Sequence, residues 1–296
     1  MRLSTLYMFK QSADSMAKRV SDNNDIYLRL SAGKSLLRAS DDPAAATDAV
    51  KYQDALAKLE LYSTVRSSVR NSLQHEDNTL SSVGNLLTTN LTEKIVAAQT
   101  DTYSPEDRAA LGKEIEGIRA NLLDLANSRD GSGRYIFSGF MTDRAPFDAD
   151  GNYVGGIEAR KQTVAEGTEM TVGHLGSDVF GDIFKVLEKA AAELQNPTGD
   201  QELKDALSAA SKAVSAGITK LGKAQAELGT NLQQIDALDL SGNVQINDMI
   251  VNIQNAIGSD YGTMTSLVMD SKMSEYALNA SMMVFQAMQK MNLFTK

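Results

Sequence analysis

The stretch from Met264 to Lys296 constrains the fold more than any other. One apolar stripe runs Met269, Met273, Tyr276, Ala280, Met283, Ala287, Met291 and Phe294, in steps of three and four, the period of an α-helix. A second runs Met264, Leu267, Leu278, Met282, Phe285 and Met288. Only a narrow polar strip remains, with Lys272, Glu275, Gln286 and Lys290 in it. A helix apolar over so much of its circumference has to be covered on more than one side. Yet it stands at the end of the sequence, where chains ordinarily fray. It needs partners: the opposite end of the chain is one candidate, and the rest of the cover points to other molecules.

That opposite end has a stripe of its own. Leu3, Leu6, Phe9, Ala13, Met16, Val20, Tyr27 and Leu30 step by threes and fours with one longer gap, which predicts a helix over about 4–32. The stripe is one-sided, as in a helix–helix seam. Periodicity alone also fits an ordinary core helix. Gly33 breaks the pattern, and Ser40-Asp41-Asp42-Pro43 restarts it. A carboxylate ahead of proline caps free N–H groups, and proline at the first helical position loses nothing by lacking one. The next proline is Pro105, and apolar residues recur from Val50 to Val96. One continuous helix here would be about 85 Å long, a rod and not the wall of a compact globule. Gly84 is the soft spot.

Ser104-Pro105 starts another helix, expected to run to Ser128 and to end at Asp130-Gly131-Ser132-Gly133. The texture then changes. Tyr135-Ile136-Phe137, Tyr153-Val154, Thr163-Val164-Ala165 and Met170-Thr171-Val172 read as short strands, with Asp150-Gly151-Asn152 as a hairpin turn. Helix resumes over 177–195, stops at Asn196-Pro197-Thr198-Gly199, and runs again from Asp200 to Leu238. Ser241-Gly242-Asn243 reads as a joint, and Gly258 and Gly262 loosen the chain before the terminal segment. The expected fold class is mainly α: a long antiparallel helical rod or coiled coil with a small β-rich insert and both termini at one end. The expected domains are 1–42 with 250–296 (paired terminal helices), 43–130 with 177–249 (rod) and 131–176 (insert).

The 296 residues carry a net charge of −9, which offers no basic field for nucleic acid. Cysteine is absent, which removes disulfides, thiol catalysis and cysteine-held metals. The N-terminus has no apolar core of a cleavable signal, and no apolar run is long enough to span a membrane. A cytoplasmic location follows unless the chain leaves by a route that reads no cleaved signal. No catalytic set emerges. His75, beside Glu76, reads as a solvated position, and His174 has no second ligand type near it in sequence. Gly33-Lys34-Ser35 has the tail of a phosphate-binding loop, but Leu28 stands where its first glycine belongs. Asp148-Ala149-Asp150-Gly151 is better read as a turn than as a calcium loop. Asp41-Asp42 and Glu114 with Glu116 fit capping and a solvated face. Neither an enzyme nor a cofactor or metal is expected.

The opening Met1-Arg2-Leu3-Ser4-Thr5, Ser31-Ala32-Gly33 and Asp41-Asp42-Pro43 together resemble the N-terminal signature of the bacterial flagellin superfamily. Leu122 to Ser128 with Asn127, then Gly133-Arg134-Tyr135-Ile136-Phe137-Ser138-Gly139 and Pro146-Phe147, resemble the hook–filament junction branch more than the filament flagellins. Asp260-Tyr261-Gly262 keeps only part of the family's usual pattern. The resemblance implies an extracellular structural subunit, exported through the flagellar type III channel with export information within residues 1–24. It implies docking on hook-associated protein 1 at one face and flagellin at the other, copies of itself in a layer, and an export chaperone on the C-terminal segment. The assembly seam would then be Leu3, Leu6, Phe9, Met16, Val20 and Tyr27 against Met269, Met273, Tyr276, Met283, Phe285, Met291 and Phe294. A short flagellin, or a secreted helical translocator or effector, are the competing readings.

Overall fold

The computed structural model describes residues 2–100 and 103–290. It is mainly helical, with one small antiparallel sheet among the described residues. The chain separates into two compact units: residues up to Glu60 with those from Asn243 onward, and Leu61–Gly242.

In the first unit, α1 (Arg2–Ala32) covers the expected N-terminal helix. It ends in a left-handed turn at Gly33, φ 64°, where Gly33 N–H donates to the Leu30 carbonyl and Lys34 N–H to that of Arg29. This pair of reverse bonds satisfies carbonyls that a helix end leaves unmet. α2 (Pro43–Asn85) starts as the sequence indicates: Asp42 Oδ1 accepts the N–H groups of Ala44 and Ala45, each at 3.0 Å. This unit also holds the last turns of the long helix that ends at Ile257, and α8 (Tyr261–Lys290).

The Leu61–Gly242 unit holds the rest of α2, which passes into a π-helical stretch, Leu86–Leu91, and then α3 (Thr92–Ala98). The irregularity begins two residues after Gly84, the soft spot in the sequence. α4 (Pro105–Ala126) is capped by Ser104, whose hydroxyl accepts from Asp107 N–H. Of the four expected strands, two form: β1 (Lys161–Ala165) and β2 (Thr168–Thr171), paired Lys161 with Thr171 and Gln162 with Met170. Tyr135 and Tyr153 make only isolated bridges, to Arg129 and Phe147. Their neighbours bond to turns instead: Tyr135 N–H reaches Thr142, Ile136 N–H reaches Ser128, and Val154 N–H reaches Pro146. The helix expected over 177–195 is two pieces, α5 (Gly176–Val179) and α6 (Ile183–Gln195), parted where Gly181 turns left-handed at φ 54°.

At Ser241-Gly242-Asn243 the boundary between the two units falls between Gly242 and Asn243, but the helix does not break there. α7 (Asp200–Ile257) runs through it for 58 residues, about 87 Å at 1.5 Å per residue. Gly242 serves close approach instead: a Cβ there would lie 2.6 Å from a guanidinium nitrogen of buried Arg66. Arg66 Nε donates to Asp239, and Nη1 to the Val164 carbonyl at 3.1 Å, so the side chain ties α2 to α7 and to the inner face of β1.

The core of this unit is apolar and large. Leu73, Leu80, Leu91, Ile95, Ile115, Leu122, Leu187, Leu194 and Leu228 are fully buried, at about 1.5–3 kcal/mol each by transfer. At its insert end Phe147 meets Tyr153, Phe180 and Phe184 edge-on, at centroid distances of 5.4, 5.7 and 4.9 Å. Burial, with the Asp178 charge, pushes the Tyr153 phenol up to about 12. Its hydroxyl donates to the Gly156 carbonyl at 2.7 Å.

Candidate assembly surface

α1 and α8 lie side by side and run antiparallel. Phe9 meets Phe285 at 5.0 Å between ring centroids, and Ser35 N–H, beyond the other end of α1, bonds to the Ile257 carbonyl. The inward face of α8 reads Met264, Leu267, Ser271, Ser274, Leu278, Ser281 and Phe285, in alternating steps of three and four. That of α1 reads Phe9, Ser12, Met16, Asn23, Ile26 and Leu30 in the same rhythm, with exposed Arg19 between Met16 and Asn23. This is a heptad seam. It is a poor one: Asn23, only 7% exposed, and buried Ser271 occupy positions where leucine would pack, and Oδ1 of Asn23 accepts no hydrogen bond among the described residues. A groove of about 600 Å³ opens beside it, lined by Met8, Ser12, Ser15, Arg19, Ala277 and Val284.

The large apolar side chains are on the outside. Met269, Met273, Tyr276 (72% exposed) and Met283 (67%) project from α8, with Val268, Met282 and Val284 beside them. From α1, Tyr7, Met8, Val20, Tyr27 and Leu28 are exposed. The expected seam is thus divided. Phe9, Met16 and Phe285 are half-buried, whereas Val20, Tyr27, Met269, Met273, Tyr276 and Met283 are exposed. The side chains of Leu3 and Leu6, and Met291 and Phe294 altogether, lie outside the described residues.

The signature residues fall into two groups. In the first unit, Ser31 and Gly33 close α1, and Asp42 with Pro43 opens α2. Asp41 holds the link between them: its Oδ2 accepts from Leu37 and Arg38 N–H and sits 3.8 Å from Arg29. Gly258, φ 63°, closes α7 against this link, so close that a Cβ would lie 1.8 Å from Ser35 Oγ. In the second unit, Asn127 ends α4 and grips Phe147 twice, donating to its carbonyl at 3.1 Å and accepting its N–H at 3.0 Å. Gly133 and Gly139 turn at φ 79° and 62°, Tyr135 lies under the Arg129 guanidinium at 4.3 Å, and Phe137 is buried against Phe180. Desolvation opposes its charge, yet Arg134 and Ser132 hold the Asp130 carboxyl below its usual range in the turn between them.

Residues 3–142 match the bacterial flagellin N-terminal helical region. The chain is 33% identical to flagellar hook-associated protein 3 of Escherichia coli, over 99% of both chains. It belongs to the flagellar hook-associated protein 3 family. The protein of that name from Salmonella typhimurium is equally similar, at 33% over 99% of both chains. Among solved structures, a putative flagellar hook-associated protein from Vibrio parahaemolyticus aligns with a TM-score of 0.65 at 19% identity, covering 74% of this chain and 99% of that one. Bacillus cereus FlgL aligns at 0.58 and 25% identity, covering 69% and 99%.

The exposed stripes of α1 and α8 are apolar, and the polar clusters close turns and helix ends. Both histidines depart from expectation. His75 is half-buried, and its Nε2 donates to the Arg129 carbonyl at 2.9 Å. His174 stands between two carboxylates, Glu76 of α2 and Glu227 of α7. Neither partner is near it in sequence, which is why the sequence does not show them. Gly33-Lys34-Ser35 is a helix end followed by a chain link, not a phosphate loop, and Asp148-Gly151 is a tight turn in which Asp148 accepts from Asn152 N–H. No described helix is long and apolar enough to cross a membrane.

Proposed function

We infer that this chain is the subunit joining flagellar hook to filament, docked on hook-associated protein 1 at one face and on flagellin at the other. The observation that carries the reading is the outward stripe Met269, Met273, Tyr276 and Met283, in a chain of the hook-associated protein 3 family. Contiguous exposed apolar surface of this kind marks an interaction site. In this reading the internal α1–α8 seam holds the pair in register, and the outer stripe packs on neighbouring copies in a layer. The working division is 1–42 with 250–296 for assembly, 43–130 with 177–249 as the rod, and 131–176 as the insert. The work is packing rather than catalysis. The subunit is secreted without signal cleavage, guided by residues 1–24. An export chaperone covers the C-terminal stripe beforehand, because the exposed Met and Tyr side chains would otherwise associate indiscriminately.

Seeded assembly tests the reading. Purified protein is added to hook fragments already capped with hook-associated protein 1 and followed by electron microscopy. A short terminal addition that stops and then accepts flagellin is the expected result. Growth into long filaments would make it a filament flagellin instead, and failure to bind the capped hook would overturn the junction role.

A further inference from the structure

The β-rich insert has little structure of its own: one two-stranded sheet, two isolated bridges and a series of turns among the described residues. Its place on the helices depends on what α2 offers it. Two charged side chains of α2 are buried, Arg66 and Glu76, and both reach the insert. Arg66 donates to the Val164 carbonyl on β1. Glu76, 1% exposed, accepts two bonds through Oε1, from the backbone N–H of His174 at 2.9 Å and from its Nδ1 at 2.8 Å. The other ring nitrogen, Nε2, lies 3.1 Å from Glu227 Oε2 on α7.

We propose that His174, as an imidazolium held between Glu76 and Glu227, latches the insert to α2 and α7, and that the latch loosens when the ring loses a proton. The geometry requires the charged ring. An ionised carboxylate only accepts, and a neutral imidazole has one N–H, so two carboxylate contacts need both nitrogens protonated. Removing one proton sets a lone pair against a carboxylate oxygen. If Nε2 loses the proton, that lone pair faces Glu227; if Nδ1 loses it, the donor is taken from Glu76, whose Oε2 already has no hydrogen-bond partner among the described residues. Leaving a buried carboxylate short of donors is costly. Arg66 cannot substitute, because it stands about 15 Å along α2 from Glu76 and its Nε and Nη1 go to Asp239 and the Val164 carbonyl.

Other charges face the latch from every side. Lys223 stands 3.8 Å from Glu227 on α7. Arg160, just before β1, is half-buried and feels the charges of Arg134, Asp130 and, more weakly, Glu76. His75 is on α2 with its ring turned to Arg129. Lysine, arginine and carboxylate groups ordinarily titrate well away from neutrality, so a change near neutral pH falls on histidine. For His174, burial opposes the charge, but the hydrogen bonds and charges of Glu76 and Glu227 outweigh it and raise the ring above its ordinary value. A raised value fixes the sign: the latch contributes fully below about pH 6.5, the ordinary histidine value, and is lost as pH climbs through the raised one.

The chain has two histidines, so full-length protein gives two imidazole signals by NMR, assigned with His174→Gln. The signal of His174 is expected to titrate above about 6.5. Across that titration, amide exchange at Val172, His174 and Gly176, corrected for intrinsic rate, is expected to speed up as the ring loses its proton. The amide of Leu228, in the middle of α7, serves as the control and is expected to hold. Glu227→Gln, on a half-exposed carboxylate, is expected to leave the fold intact and bring the His174 titration down toward the ordinary value. Should His174→Gln fail to fold, Glu227→Gln carries the test alone. Titration of His174 at or below about 6.5, exchange at the insert that does not follow pH, or a titration that Glu227→Gln does not move would each overturn the latch.

Discussion

The helix pair of the first unit and the helical core of the second are built from the same kinds of residue and use them in opposite ways. In the Leu61–Gly242 unit the large side chains go in: Phe137, Phe147 and Phe184 are fully buried, and leucines line α2, α4, α6 and α7. In the α1–α8 pair small and polar side chains take the inner positions, Asn23, Ser271, Ser274 and Ser281, while Met269, Met273, Tyr276 and Met283 face outward. One arrangement is complete as a single chain. The other leaves its apolar area exposed in the single chain, where covering it would return about 25 cal/mol per Å². A long helix pair can therefore be folded and still be unfinished.

The largest expected break in this comparison comes from the core. Phe184→Ala removes a ring packed against Phe147 and Phe180 and is expected to cost about 3–5 kcal/mol in urea unfolding of the second unit. Phe9→Ala, on the half-buried seam ring, is expected to cost about 1 kcal/mol or less. Equal losses would mean the pair has a real core. Gly258→Ala comes next. It forces a side chain into the left-handed region and onto Ser35, and about 1–3 kcal/mol of strain is expected, read as earlier loss of the first unit's helicity. Asn127→Ala strands the backbone N–H and carbonyl of buried Phe147, for about 1–3 kcal/mol in the second unit. Met283→Asp is the smallest in stability, within about 0.5 kcal/mol, because the side chain touches mostly water in the single chain. Its effect is expected in assembly, with no growth on capped hooks. A Met283→Asp protein that assembles normally would place the contact elsewhere.

Local signals wrote most of the fold. Asp42-Pro43, Ser104-Pro105, Gly33 and Gly258 each start or stop a helix where the residues say so, because capping and left-handed turns are decided within a few residues. What could not be read is which of two apolar stripes faces in. Periodicity reports that Met269 and Leu267 lie on helical faces, but the choice depends on which face matches the heptad of α1, a property of two distant segments at once. The same limit hid the role of Gly242, whose missing side chain answers Arg66, and of His174, which needs Glu76 and Glu227. Tyr135 and Tyr153 have strand-forming neighbours but find turns, not strands, opposite them.

The π-helical stretch in the middle of the long N-terminal rod helix has a consequence for how length can vary. Buried Val83, Leu87, Leu91 and Ile95 recur every fourth residue. On an unbroken α-helix each such step overshoots a full turn by about 40°, so three would swing the row about 120° off the core. The wider turns absorb that drift, as the bond from Thr92 N–H back five residues to Leu87 records. The segment is in effect a stored spare residue. Removing one residue there lets the turns tighten to ordinary helix while everything beyond keeps its face, whereas the same deletion a few turns earlier would rotate the downstream leucines out by about 100°. Insertions and losses in this helix thus have one site where they leave the phase of the rest unchanged.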